Sequence, residues 1–176
     1  MTTSPPWDLL ARGGLDVRAA VGSLVFLVLI PGTMAGLIPW WITGWQAQPV
    51  PLAAQIAGGG LFAAGLAVLL EAFARFAFEG RGTPAPIAPT EQLVAGGVYR
   101  HVRNPMYVAV TAVIIGQALL LGRGELGWYA LAFWALTASF VRLYEEPTLG
   151  RRYGEQYRTY CQHVPAWLPR LRPWRG

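Results

Sequence analysis

Twenty consecutive residues, from Pro51 to Leu70, carry no charge. Wound as a helix at about 1.5 Å per residue they reach about 30 Å, the depth of a bilayer's hydrocarbon core. Such a segment has to be buried in lipid or inside a very large protein core, and a chain of 176 residues cannot build the latter. The same pattern recurs. Apolar blocks run over about 19–45, 50–77, 105–122 and 126–144. Only 13% of the residues are charged, against about 25% in soluble domains. The chain therefore reads as an all-α integral membrane protein of about four transmembrane helices, with 1–176 as a single membrane-embedded domain.

Smaller signals refine this plan. Pro31 and Pro39 predict a kinked or broken first helix. Trp40, Trp41 and Trp45 mark an interface at its far end. The apolar stretch is too long, and too poor in a cleavage signal, for a secretory leader. Gly58-Gly59-Gly60 and Gly65, with Gly32 and Gly36, predict close helix approach through small residues. Gly122-Arg123-Gly124-Glu125 predicts a tight turn, so the last two spans form a helical hairpin.

The basic residues, all arginine, fix an orientation. Arg12 and Arg18 precede the first span, and Arg75, Arg81, Arg100 and Arg103 lie between the second and third. Arg142 and six further arginines follow in the last span's end and the tail; Arg123 alone falls on the opposite side. The positive-inside rule then places both termini in the cytoplasm, with a bacterial inner membrane as the expected location. Arginines that flank spans are topology and headgroup signals; nucleic acid is not an expected partner. After the last span, Leu149, Tyr153, Tyr157 and Tyr160 recur at helical spacing and predict a cytoplasmic amphipathic C-terminal helix. Pro165, Pro169 and Pro173, with Trp167 and Trp174, read as an interfacial tail beyond it. Cys161 stands alone, so no intrachain disulfide forms, and His101 and His163 do not suggest a metal site.

Two polar clusters sit at one membrane edge. One is Gly96-Gly97-Val98-Tyr99-Arg100-His101-Val102-Arg103-Asn104-Pro105-Met106-Tyr107, which leads into the third span; the other is Arg142-Leu143-Tyr144-Glu145-Glu146, which ends the fourth. Polar groups at membrane depth are costly and point to function. Asn104-Pro105 is a helix start, with Asn as cap and Pro at the first helical position. Adjacent carboxylates at a helix C-terminus oppose the macrodipole, so Glu145 and Glu146 need cationic partners or a ligand. Carboxylates facing an aromatic, arginine-rich pocket can hold an ammonium group or ribose hydroxyls. Arg142 reads either as a headgroup anchor or as a group orienting an anionic or carbonyl substrate. Glu71 and Arg75, four apart, read as an intrahelical ion pair.

The ordered set of these residues resembles the superfamily of isoprenylcysteine carboxyl methyltransferases and phospholipid methyltransferases. Its pattern is loosely L-V-x-x-G-x-Y-x-x-x-R-H-P-x-Y, a helical hairpin, E-E, then F-G-x-x-Y-x-x-Y and V-P. Here it reads Leu93-Val94, Gly97, Tyr99, Arg103-Asn104-Pro105-Met106-Tyr107, Glu145-Glu146, Tyr153-Gly154, Tyr157, Tyr160 and Val164-Pro165. The resemblance covers about residues 80–168. It implies S-adenosylmethionine as cofactor, bound over about 91–107 and 142–160 by Leu93, Val94, Tyr99, Asn104, Pro105, Met106, Tyr107, Glu145 and Glu146. It also implies a catalytic arginine, for which Arg142 is the nearest candidate. The expected reaction is methyl transfer to a lipophilic substrate that partitions into the membrane, with a carboxylate, amine or thiol as acceptor. Asn104 replaces the pattern's histidine; it keeps the hydrogen-bonding capacity and loses titration near neutral pH. Two other classes stay open on the residues alone. A small four-helix transporter would need a carboxylate such as Glu71, and a non-catalytic scaffold would keep the fold without the chemistry.

Overall fold

The computed structural model describes residues 24–78 and 93–175. Among these, every regular element is helical. Helix α1 spans Leu24–Thr43, α2 Leu52–Phe78, α3 Pro105–Leu121, α4 Gly124–Phe140 and α5 Glu146–His163. A 3-10 turn, Gly97–Arg100, precedes α3. Three helical stretches, Leu24–Thr43, Leu52–Arg75 and the one starting at Gly124, are long and apolar enough to cross a membrane. Helix α3 has 17 residues, which is about 25 Å of helix. Val28, Leu29, Trp41, Leu52, Ile56, Leu131 and Leu136 are exposed on the outside of the bundle. A contiguous apolar exterior on this scale belongs against lipid, and the chain is an integral membrane protein.

The bundle is built around the antiparallel pairing of α2 and α3. Glycine makes it possible. A Cβ on Gly58 would lie 2.8 Å from the Gly116 carbonyl, and one on Gly116 would lie 2.7 Å from the Phe62 nitrogen. Backbones can meet this closely only where side chains are missing. Gly65 is similarly pressed, 2.9 Å from the Ala109 carbonyl. The other glycines named for close approach do not serve it: Gly60 and Gly36 face open space, and Gly32 and Gly59 make ordinary contacts. Leu69, Phe73, Ala109, Val110, Ile114, Leu126 and Ala130 form the core where α2, α3 and α4 meet. Gly122, in the left-handed region at φ 65°, ends α3, and Arg123 pairs with Glu125 at 3.3 Å across the predicted turn.

Proline shapes α1. A π turn covers Thr33–Leu37, with the Ile38 N–H donating to the Thr33 carbonyl. Pro39 has no N–H to offer, so the carbonyls five and four positions back, on Met34 and Ala35, lose their intrahelical donor. Within a bilayer such orphans must find another donor. The Tyr129 hydroxyl donates to Met34 O at 2.8 Å, and Gln117 Nε2 donates to Ala35 O at 2.7 Å. The predicted break in α1 is thus a one-residue π insertion, locked by side chains from α3 and α4.

The fourth span does not end at the two glutamates. Helix α4 passes through a second π turn, Val141–Glu145, and continues directly as α5. The expectation of carboxylates at a helix C-terminus is corrected here: the hydrogen-bonded ladder runs on past them. Pro147 stands two residues beyond this π turn, as Pro39 stands two beyond the first. The helical count is preserved, but the faces are rotated. Helix α5 buries Tyr157 and Tyr160 and exposes Glu155 and Arg158.

The proline-rich tail is more than an interfacial anchor. It runs back beside the segment before α3. Arg103 N donates to Pro165 O at 2.9 Å, Arg170 N to His101 O at 3.0 Å and Trp174 N to Arg100 O at 3.0 Å. Chain without helical bonds of its own satisfies its backbone on a neighbour. The tail thereby fixes the stretch that carries the first polar cluster.

Candidate active site

The two polar clusters converge at one end of the bundle. Tyr99, Asn104, Pro105, Met106, Tyr107 and Glu145 line a single cavity of about 410 Å³. That volume lies within the usual range for small-molecule sites. Arg103 lines it too, as do Phe133, Leu136, Thr137 and Phe140 of α4 and Phe26, Ile30, Pro31 and Met34 of α1. One end is polar, built from Arg103, Asn104, Tyr107 and Glu145. The remainder is aromatic and aliphatic and extends between α1 and α4 toward the lipid-facing surface, where Ile30, Leu136 and Phe140 are exposed.

Each polar side chain is placed by a local feature. Tyr107, in the first turn of α3, donates its hydroxyl to Glu145 Oε2 at 3.1 Å. Glu145 is the last residue of the second π turn. Consecutive helix positions differ by about 100°, so Glu146 faces elsewhere: its Oε1 lies 3.0 Å from Arg103 Nη1. The same Nη1 donates to Cys161 Sγ at 2.6 Å. Arg103 is mostly covered, and its buried Nε finds no partner among the described residues.

Asn104 departs from the role its position suggested. It stands at the N-cap of α3, yet its side chain makes no capping hydrogen bond. Its Nδ2 instead donates to Ala166 O at 3.1 Å. The tail carbonyl outcompetes the helix start, and Asn104 becomes a strut between tail and cavity. Trp167, on the same tail, packs against Tyr107 and Trp134 with ring centroids 6.4 Å and 6.0 Å apart. Tyr99 is buried in the 3-10 turn, and its carbonyl accepts the Tyr160 hydroxyl at 2.7 Å. Burial, then the nearby Tyr160 and Glu145, hold the Tyr99 phenol well above its ordinary pKa, so it stays neutral.

Four of the residues singled out from the sequence lie off the cavity wall. Val94 packs with Ala72 and Tyr99, behind the lining. Leu93 packs on Tyr157, Tyr160 and Val164. Glu146 anchors Arg103. Arg142, on the outer side of the π turn, is exposed. The lining residues of α1 and α4 were not singled out from the sequence, because apolar residues in an apolar span carry no local mark. Arg103, a candidate cationic partner for the two glutamates, pairs with Glu146 and also lines the cavity. Pro147, just past Glu145-Glu146, was the available signal for the π turn.

A sequence model of the phospholipid methyltransferase family matches residues 53–156. That stretch takes in α2, the 3-10 turn, α3, α4, the second π turn and most of α5. The chain belongs to the phospholipid methyltransferase family. Among curated proteins, a phosphatidylethanolamine N-methyltransferase of Talaromyces marneffei is 34% identical over 67 residues, which is 38% of this chain and 7% of that protein. The chain thus spans a small part of that relative's length. The family match extends the resemblance read from the motifs back into α2, and it selects the phospholipid branch of the superfamily. The cavity is lined by polar residues at one end and by Ile30, Leu136 and Phe140, exposed on the flank of the bundle, at the other.

Proposed function

We propose that this phospholipid methyltransferase takes its methyl group from S-adenosylmethionine and delivers it to an amine on a phospholipid headgroup, in the cavity lined by Tyr99, Arg103, Asn104, Tyr107 and Glu145. The observation that carries this reading is the Tyr107–Glu145 pair, a carboxylate fixed at the polar end of a cavity whose remainder is apolar and aromatic. An ammonium headgroup is attracted to Glu145. The relative named for phosphatidylethanolamine methylation accords with an amine acceptor.

The residues suit the cofactor's chemistry. Its sulfonium favours a nearby carboxylate and aromatic faces, which Glu145, Tyr99 and Tyr107 supply. Its amino-acid carboxylate favours a guanidinium, which Arg103 supplies on the cavity wall. When bound, it offers a methyl group already activated for displacement, so this chain has to align the acceptor and exclude water. An ammonium must lose a proton before its nitrogen can attack. Tyr107 occupies Glu145 Oε2, which leaves Oε1 to accept that proton. Arg142, exposed on the π turn, is placed to meet the lipid phosphate at the surface, and Glu146 positions Arg103. The apolar arm of the cavity takes the first part of the acyl chains from the bilayer. Arginine placement supports a cytoplasmic polar end and cytoplasmic termini.

The test is a methyl-transfer screen. Purified protein in nanodiscs is incubated with methyl-labelled S-adenosylmethionine and lipids bearing amine, carboxylate or thiol groups. Label is expected in the amine lipid and nowhere else. Label in a carboxylate or thiol lipid alone would contradict the amine assignment.

A further inference from the structure

A second polar concavity lies on the other side of the 3-10 turn. It is an open groove of about 560 Å³, lined among others by Glu71, Arg75, Gly97, Val98, Arg100 and His101. Tyr99 points into the methyl-transfer cavity, while its neighbours Val98 and Arg100 line the groove. The two therefore stand back to back and do not share a polar wall.

The groove is rigidly built. Arg75 Nε donates to Glu71 Oε1 at 2.8 Å, and the Val98 N–H donates to Glu71 Oε2 at 3.2 Å. Both oxygens of Glu71 are engaged, and its charge is matched by Arg75. Gly97 closes over this pair at φ 52°, where an added Cβ would collide with Glu71 Oε1 and Arg75 Nε. The left-handed φ and the crowding favour glycine there.

Among the described residues of the groove, Arg100 is the cation outside the Glu71–Arg75 pair. It is exposed, and its backbone is pinned by Trp174 while its side chain stays in the groove. His101 is oriented beside it. Its Nδ1 lies 2.8 Å from the Arg170 carbonyl, an acceptor only, so Nδ1 carries the hydrogen and the ring is held in place at the groove. Among the described residues lining the groove, Glu71 is paired with Arg75, and Arg100 adds an exposed guanidinium. A guanidinium fork at a membrane surface matches the oxygens of a phosphate, and the adjacent His101 ring senses its arrival.

We propose that this groove is an anion site for a phosphate group, separate from the methyl-transfer cavity. The phosphate is that of an anionic phospholipid headgroup or a free phosphate ion. The test uses the full chain in zwitterionic detergent with ¹⁵N-labelled imidazole. The sequence has two histidines, so His101 and His163 report separately. Dihexanoylphosphatidylglycerol and inorganic phosphate are titrated in parallel. A shift of the His101 ring that saturates, with His163 unmoved, is expected. A response to the lipid at lower concentration assigns the headgroup; an equal or stronger response to inorganic phosphate assigns the free ion. Arg100→Gln should weaken the binding about 10-fold, the loss of one charge-assisted hydrogen bond, and Arg152→Gln should leave it unchanged. Raised salt should weaken it as well. No His101 shift with either titrant, or equal affinity in Arg100→Gln, overturns the proposal. The readout needs no methyl transfer, so it stands or falls apart from the proposed reaction.

Discussion

Tyr107 donates its hydroxyl to Glu145 across 3.1 Å, joining the first turn of one helix to the π turn that links two others. The pair spans 38 positions of sequence, yet it is set by two local features: Pro105 starts the first helix, and the π insertion turns Glu145 inward. Without that insertion, Glu145 would rotate by about 100° and leave the cavity.

Removing the carboxylate should weaken cofactor binding and leave the fold intact. Glu145→Ala is expected to lower S-adenosylmethionine affinity roughly 10- to 100-fold, the range for one hydrogen bond to a charged group. Calorimetry on the purified protein measures this, with far-UV circular dichroism as the control for folding. Unchanged affinity would count against Glu145 as a binding residue.

Tyr107→Phe is the milder change. It deletes one neutral donor and keeps the ring against Trp167. About 1 kcal/mol of binding, roughly fivefold, should be lost. A loss as large as that of Glu145→Ala would mean that Tyr107 acts beyond orienting the carboxylate.

The π turn in the first helix rests on two side chains. Gln117→Leu leaves the Ala35 carbonyl without its donor, and Tyr129→Phe does the same to Met34. Each should lower stability by about 1 kcal/mol, within the range for interhelical hydrogen bonds in membranes. Thermal unfolding in detergent reads the effect. An unchanged midpoint in both variants would show that the freed carbonyls are satisfied in some other way.

Glycine positions should separate sharply. Gly116→Ala drives a methyl against the Phe62 backbone, and overpacking of this kind costs about 1–3 kcal/mol. Gly60→Ala meets nothing within 4 Å and should be neutral or slightly stabilising. The comparison is made by unfolding midpoint, and equal effects of the two substitutions would rule out close packing at Gly116.

Charge-free blocks and proline or glycine punctuation made the helices legible in the sequence, because a bilayer leaves little else for such segments to do. The pairing of the 99–107 stretch with Glu145 was legible from the ordered motif. What the sequence concealed was rotational. Whether Glu145 or Glu146 enters the cavity depends on a one-residue π insertion, and nothing in the two letters distinguishes them. Asn104 looked like a cap, since the competing acceptor, Ala166, lies 62 residues away. The apolar lining from Phe26 to Met34 and from Phe133 to Phe140 was invisible for a different reason: side chains that face lipid and side chains that face a cavity have the same composition.

The most direct measurement is transfer of a labelled methyl group from S-adenosylmethionine to phosphatidylethanolamine in nanodiscs, comparing wild type with Glu145→Gln. The account predicts labelled amine lipid with the wild-type protein and a rate reduced at least ~100-fold in the variant, whose amide can accept no proton. Equal rates in the two proteins would contradict a methyl-transfer site built around Glu145.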